Sequence, residues 1–110
     1  MKDIHVAFIS QNLKNKYDHL YEGSSEEKQL YNFMNRAFDD LKKDPLRGLK
    51  IPKKLWPKIY IKKYNITNLF KYDLPNGWRI IYTIETNEII IMSIILEWFT
   101  HKSYERRFRY

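Results

Sequence analysis

Phe70-Lys71-Tyr72-Asp73-Leu74-Pro75-Asn76-Gly77-Trp78-Arg79-Ile80-Ile81-Tyr82-Thr83-Ile84 reads as two strands folded about a tight turn. Large apolar side chains recur at every second position on both arms, which is the period of a pleated strand. Pro and Asn suit the central positions of a type I turn, and Gly takes the left-handed third position of a three-residue hairpin loop. Leu74 is therefore expected to face Trp78. Counting outward, Tyr72 opposes Ile80 and Phe70 opposes Tyr82 on one face, while Asp73 opposes Arg79 and Lys71 opposes Ile81 on the other. One face is apolar and the other carries the charge.

Beyond this hairpin a second turn around Thr86-Asn87 returns the chain as Ile89 to Leu96, apolar at both parities, as in a central strand covered on both sides. Upstream lie helices. Ser10 is placed to cap a first one, with Leu13, Tyr17, Leu20 and Tyr21 on one face and Gly23 positioned to end it in the left-handed conformation. Ser24 and Glu27 form an S-x-x-E capping box that opens a second helix, whose stripe is Leu30, Phe33, Met34, Ala37, Phe38 and Leu41. Asp44-Pro45 stops it. Ile4, Val6 and Phe8 suggest a short edge strand, Leu46 to Trp56 an ordered loop, and Pro57 the start of one more helical turn through Ile59, Tyr60 and Tyr64. The expected fold is α+β, with an N-terminal αα-hairpin packed on the apolar face of an antiparallel β-meander. Arg79 is then expected beside Ile94 of the last strand.

With 110 residues, the chain suits one domain spanning 1–110. It has no cysteine, so its core must hold it together without disulfides or thiolate metal sites. No apolar run is long enough for a membrane span and the first residues do not open a secretory signal, so the expected compartment is the cytoplasm. The net charge of +7 attracts polyanions. It is concentrated: Lys42 to Lys71 holds ten basic residues (Lys42, Lys43, Arg47, Lys50, Lys53, Lys54, Lys58, Lys62, Lys63, Lys71) against one acid, Asp44. Such a run is either a binding surface or a solubilising one.

Past the last strand come Trp98-Phe99-Thr100-His101-Lys102-Ser103-Tyr104-Glu105-Arg106-Arg107. Lys71, Arg79, His101 and Tyr104 are the residue types that RNA cleavage without a metal or cofactor needs. Histidine titrates near neutrality and can take or give a proton, arginine can grip a phosphate through two donors, and tyrosine can stack on a base. Plainer readings stand beside these. Arg79 can be a cross-strand ion pair with Asp73, Tyr104 a core residue, His101 a polar loop residue, and Trp56, Trp78 and Trp98 packing groups.

The order helix, helix, basic loop, meander, followed by Gly77-Trp78-Arg79-Ile80-Ile81-Tyr82 and Thr100-His101-Lys102-Ser103-Tyr104, resembles the RelE/ParE toxin superfamily and its HigB-like branch in particular. The resemblance implies a RelE-like fold and a type II toxin that cuts mRNA in the ribosomal A site by 2′-hydroxyl attack, silenced by a cognate acidic antitoxin. By position, Arg79 would steady the transition-state phosphate, His101 would be the acid or base, Tyr104 would orient the nucleotide and Lys71 would add charge. Lys53, Lys54, Lys58, Lys62, Lys63, Arg106 and Arg107 would contact mRNA or ribosomal RNA, although the arginine-rich terminus, Arg109 included, can equally be a solvated tail or be covered by a partner helix. RelE proper has an arginine where Trp98 and Phe99 stand, which favours the histidine-dependent branch. The superfamily also contains ParE-like gyrase inhibitors and silent members, so those two alternatives accompany the nuclease reading.

Overall fold

In the computed structural model, which describes residues 2–108, the hairpin carries the register read from its alternation. Strand β3 (Phe70–Asp73) pairs antiparallel with β4 (Trp78–Thr86) through Phe70 and Tyr82, Lys71 and Ile81, Tyr72 and Ile80, and Asp73 and Arg79. The Leu74 N–H donates to Trp78 O at 2.7 Å, so those two residues close the ladder. The turn itself differs from type I. Asn76 (φ 63°) and Gly77 (φ 77°) are both left-handed, a conformation that Asn tolerates and Gly favours.

The helices upstream are α1 (Gln11–Leu20) and α2 (Ser25–Lys43). Ser10 Oγ accepts from the Leu13 N–H, and Ser24 and Glu27 make the reciprocal capping box. Gly23 does not take the left-handed conformation expected of it, and the helix already ends at Tyr21. Its lack of a side chain serves a different purpose: a Cβ there would lie 2.6 Å from the Glu27 carboxyl carbon, inside the capping box.

Two corrections concern the sheet. It is mixed, with five strands ordered β1-β5-β4-β3-β2, and is not a pure antiparallel meander. Strand β1 (Asp3–Phe8) runs parallel to β5 (Ile90–Thr100), pairing Ile4 with Ile91 and Phe8 with Ile95, while β2 (Leu49–Lys50) adds a two-residue edge to β3. Parallel pairing needs a crossover, and α1, α2 and the rest of the sheet supply it. The chain thus begins with a strand, ahead of the helical pair.

The second correction is the length of β5. It continues through Trp98-Phe99-Thr100, so the partner of Arg79 is Phe99 and not Ile94. Most of that shift arises at the Asn87 turn, which pairs Thr86 with Ile91, and a bulge adds one residue more: Ile81 opposes Glu97 but Tyr82 opposes Ile95, leaving Leu96 as the extra residue. At the other end, Asn87 Oδ1 accepts from the Ile89 and Ile90 N–H groups, each at 2.8 Å, and this turn starts the strand at Ile90.

Both faces of the sheet are covered. On one, Phe70, Ile80, Tyr82 and Ile95 pack against Tyr17, Leu20, Met34, Phe38 and Leu41 of α1 and α2. On the other, Ile81, Ile94 and Leu96 pack against Tyr60, Tyr104 and Phe108. These come from α3 (Lys58–Tyr64) and α4 (His101–Phe108). The face expected to carry charge is therefore half apolar, with Lys71, Asp73 and Arg79 at its β3–β4 end and Glu97 on β5. Among the described residues no helix is long and apolar enough to cross a membrane.

Tyr82 anchors the segment after α2 to the sheet. Its hydroxyl donates to Pro45 O at 2.8 Å and accepts from the Gly48 N–H at 3.0 Å. Gly48 is required there, because a Cβ would stand 2.6 Å from both Lys71 O and Tyr82 Oη. Burial, opposed in part by the Gly48 N–H, pushes the Tyr82 phenol from 10.0 up to about 12; burial and the Asp40 carboxylate, which accepts from Tyr72 at 2.5 Å, push Tyr72 to about 12 as well. Phenols that hold their protons more tightly when folded stabilise the fold fully below pH 10, and that contribution is lost as pH rises through 12. Urea titrations are expected to show stability falling between pH 10 and 12. Tyr82→Phe, which strands the Gly48 N–H, is expected to cost about 1–3 kcal/mol at neutral pH and to flatten that alkaline loss.

Candidate functional site

Strand β5 ends where α4 begins, so Thr100, paired with Trp78, hands the chain directly to His101. Thr100 Oγ1 accepts from the Ser103 N–H at 3.2 Å, as an N-terminal cap does. His101, Tyr104, Glu105 and Phe108 fall at i, i+3, i+4 and i+7, which places them along one side of α4.

The buried end of that side is aromatic. Tyr104 has no exposed surface, and its ring stacks on Phe108 with centroids 4.4 Å apart. Two cations from the sheet lie over the same ring: the Arg79 guanidinium carbon 4.5 Å and Lys71 Nζ 5.5 Å from its centroid. Strand parity explains the meeting. Arg79 and Lys71 occupy the face that looks toward α4, and the ring's negative quadrupole attracts both.

Asp73 completes the cluster, its Oδ1 3.0 Å from Arg79 Nε. The pair is asymmetric in burial, with 17% of the Arg79 side chain exposed against 54% for Asp73. Arg79 is thus held from below by an aromatic ring and from the side by a carboxylate, in one fixed orientation. His101 lies at the exposed end, its Nε2 2.8 Å from Glu105 Oε1. Its Cβ sits 3.8 Å from where a Gly77 Cβ would be, so the imidazole neighbours the hairpin turn.

The residues singled out in the sequence divide as follows. Arg79, Lys71 and Tyr104 are in contact, and His101 stands one helical turn from Tyr104. The cross-strand ion pair and the core placement of Tyr104, the plainer readings of these residues, are both present. With its ring enclosed, Tyr104 offers no open face for a base; its direct role is to seat the two cations. Lys53, Lys54, Lys58, Lys62, Lys63 and Arg106 are exposed, the lysines on and just before α3 and Arg106 on α4. All therefore belong to the side of the sheet that Arg79 faces. Arg107 turns inward instead, donating to Glu97 Oε2 at 3.2 Å with its guanidinium 5.7 Å from the Phe99 ring. Arg109 lies outside the described residues.

The hairpin register identifies the Asp73 counterion of Arg79, whereas sequence reading missed Glu105 as the partner of His101 and Glu97 as the partner of Arg107. Glu105 was visible in principle, because i,i+4 spacing brings His and Glu together once a helix is assigned past Thr100. Glu97 was not, because its orientation depends on the bulge at Leu96.

The arrangement presents two cations seated on Tyr104 and, one helical turn along α4, an exposed imidazole, residue types able to bind an oxyanion and to move a proton. Compared with protein-family models, curated proteins and solved structures, the chain matches none. The Tyr104 seat gives a direct test: Tyr104→Ala is expected to destabilise the protein by about 3–5 kcal/mol in urea denaturation, since it empties a buried aromatic position. A cost under about 1 kcal/mol would show that the ring does not hold α4 to the sheet.

Proposed function

We propose that this chain is a ribosome-dependent endoribonuclease of the RelE/ParE type, closest in character to the HigB-like branch, acting as the toxin of a type II pair. The observation that carries this reading is the shared seat of Arg79 and Lys71 on the Tyr104 ring, with His101 one turn away on the same helix. The step is transesterification. A base removes the 2′-hydroxyl proton, O2′ bonds to phosphorus, the bond from phosphorus to O5′ breaks, and an acid protonates the departing O5′. Arg79 and Lys71 neutralise the extra charge on the five-coordinate phosphorus, and His101 serves as acid or base. The exposed lysines of α3 and Arg106 then bind mRNA and ribosomal RNA through their phosphates.

The implied partner is an acidic antitoxin covering the basic side. Exposed Leu46, Leu49, Ile59 and Ile61 lie within the same lysine-rich stretch and offer apolar contacts to it. A second reading, a binding module of this fold without catalysis, is favoured by the Asp73 carboxylate, which occupies the Arg79 Nε–H and offsets its charge.

Induced expression is expected to halt translation, with primer extension on cellular mRNA showing discrete new 5′ ends. His101→Ala and Arg79→Ala, checked for folding by circular dichroism, should each restore growth. Full toxicity in both variants would refute the catalytic assignment. A DNA-damage response without mRNA cleavage would point to gyrase inhibition instead.

A further inference from the structure

A cleft of about 570 Å³ opens between the start of α3 and the far end of α4, at the opposite end of that helix from His101. Its walls are Trp56 and Phe108, and its cations are Lys54, Lys58 and Arg107, the last already paired with Glu97, with no carboxylate among its described lining residues. The volume falls within the range of small-molecule sites. The chemistry is equally selective: flat aromatic surface between positive charges suits a ligand with a planar ring at one end and an anion at the other.

The aromatic wall is fixed in advance. Trp56 Nε1 donates to Ile51 O at 2.8 Å, which locks the indole plane while leaving the side chain partly exposed. Phe108 is held by its stack on Tyr104 and by an edge-on contact with Tyr60, centroids 6.1 Å apart. Arg107 is held by Glu97 at 3.2 Å, and its Nε has no hydrogen-bond partner among the described residues. Lys54 and Lys58 are exposed at the mouth. A ligand entering here meets groups already ordered, so it loses little of its binding energy in organising them.

We propose that this cleft binds one nucleotide unit, its base stacked on Trp56 and its phosphate held by Lys54 and Lys58. Adenosine or inorganic phosphate alone satisfies only half of the site. The unit can be a free nucleotide or one member of an RNA strand, because base and phosphate are common to both. In the second case the cleft deepens the nuclease reading by giving the strand a base-binding anchor distant from Arg79, and to that extent it rests on that reading. The binding itself does not.

The test is titration of the full chain, without ribosomes, with adenosine 5′-monophosphate, following the Trp56 indole N–H by NMR. Saturable movement of that resonance is expected, with affinity about tenfold above that for adenosine. Lys54→Gln/Lys58→Gln, a change at two exposed positions, should abolish the difference between the two ligands. An unmoved Trp56 resonance, equal affinity for nucleotide and nucleoside, or nucleotide binding unaffected by the double substitution would each overturn the proposal. An RNA trinucleotide with a 5′-hydroxyl separates the sources: binding tighter than the mononucleotide assigns the site to a strand, and weaker binding assigns it to a free nucleotide. His101→Ala should bind the mononucleotide as the parent chain does, so loss of toxicity and loss of this site are read independently.

Discussion

Arg79 lies on a sheet face that is largely covered by helices, and a guanidinium in such a place must be compensated or expelled. Desolvating a charge is expensive unless nearby groups replace the lost water. Here the Tyr104 ring supplies its negative face and Asp73 supplies a carboxylate. The same ring, stacked on Phe108, closes the apolar core beneath α4. One buried phenyl plane therefore serves two purposes at once, fixing the helix that carries His101 and setting the direction of the cations beside it. Position of the helix and position of the charge cannot vary independently.

How much of this was legible in the sequence follows from how local each signal is. The hairpin ladder from Phe70 to Tyr82 was readable because two-residue alternation on both arms leaves a single register that buries every aromatic. The capping box at Ser24 and the stop at Asp44-Pro45 were readable for the same reason, since each depends on residues within a few positions. The parallel partner of β1 was not. Ile4, Val6 and Phe8 announce a strand, but nothing in their spacing selects β5, some ninety residues away, over an edge elsewhere. The extent of the Asn87 turn, which pairs Thr86 with Ile91, and the one-residue bulge at Leu96 were invisible too, and together they exchange Ile94 for Phe99 opposite Arg79.

The site was legible as a set of residue types and only partly as a geometry. That Arg79 and Lys71 share a face followed from parity alone. That Tyr104 lies beneath them required α4, and α4 required the strand to run through Trp98-Phe99-Thr100, a stretch whose aromatic residues fit a strand or a loop equally well. Burial then decides what a tyrosine can do. A phenol ring at the surface offers a stacking plane, whereas the enclosed ring found here offers its quadrupole to the protein's own cations. Sequence identifies the side chain; packing determines which of its properties is available.

Asp73 is what allows a cationic site to exist in the absence of its ligand. Without it, Arg79 would sit largely desolvated with only the ring beside it, and relaxation toward solvent would cost the site its geometry. With it, the guanidinium is held in one orientation by a carboxylate that is itself half in water and gives up comparatively little on rehydration. Binding an oxyanion is then an exchange of one anion for another at a charge already in place. The gain over Asp73 comes from what a carboxylate at the strand margin cannot reach: Lys71 over the same ring and the exposed cations of α3 and α4 on that side of the sheet. A lone anion displaces Asp73 with little advantage, and a polyanion long enough to touch several of these cations does so with a larger one. On the proposed nuclease reading, the ion pair would set a threshold that favours extended phosphate chains over simple salts.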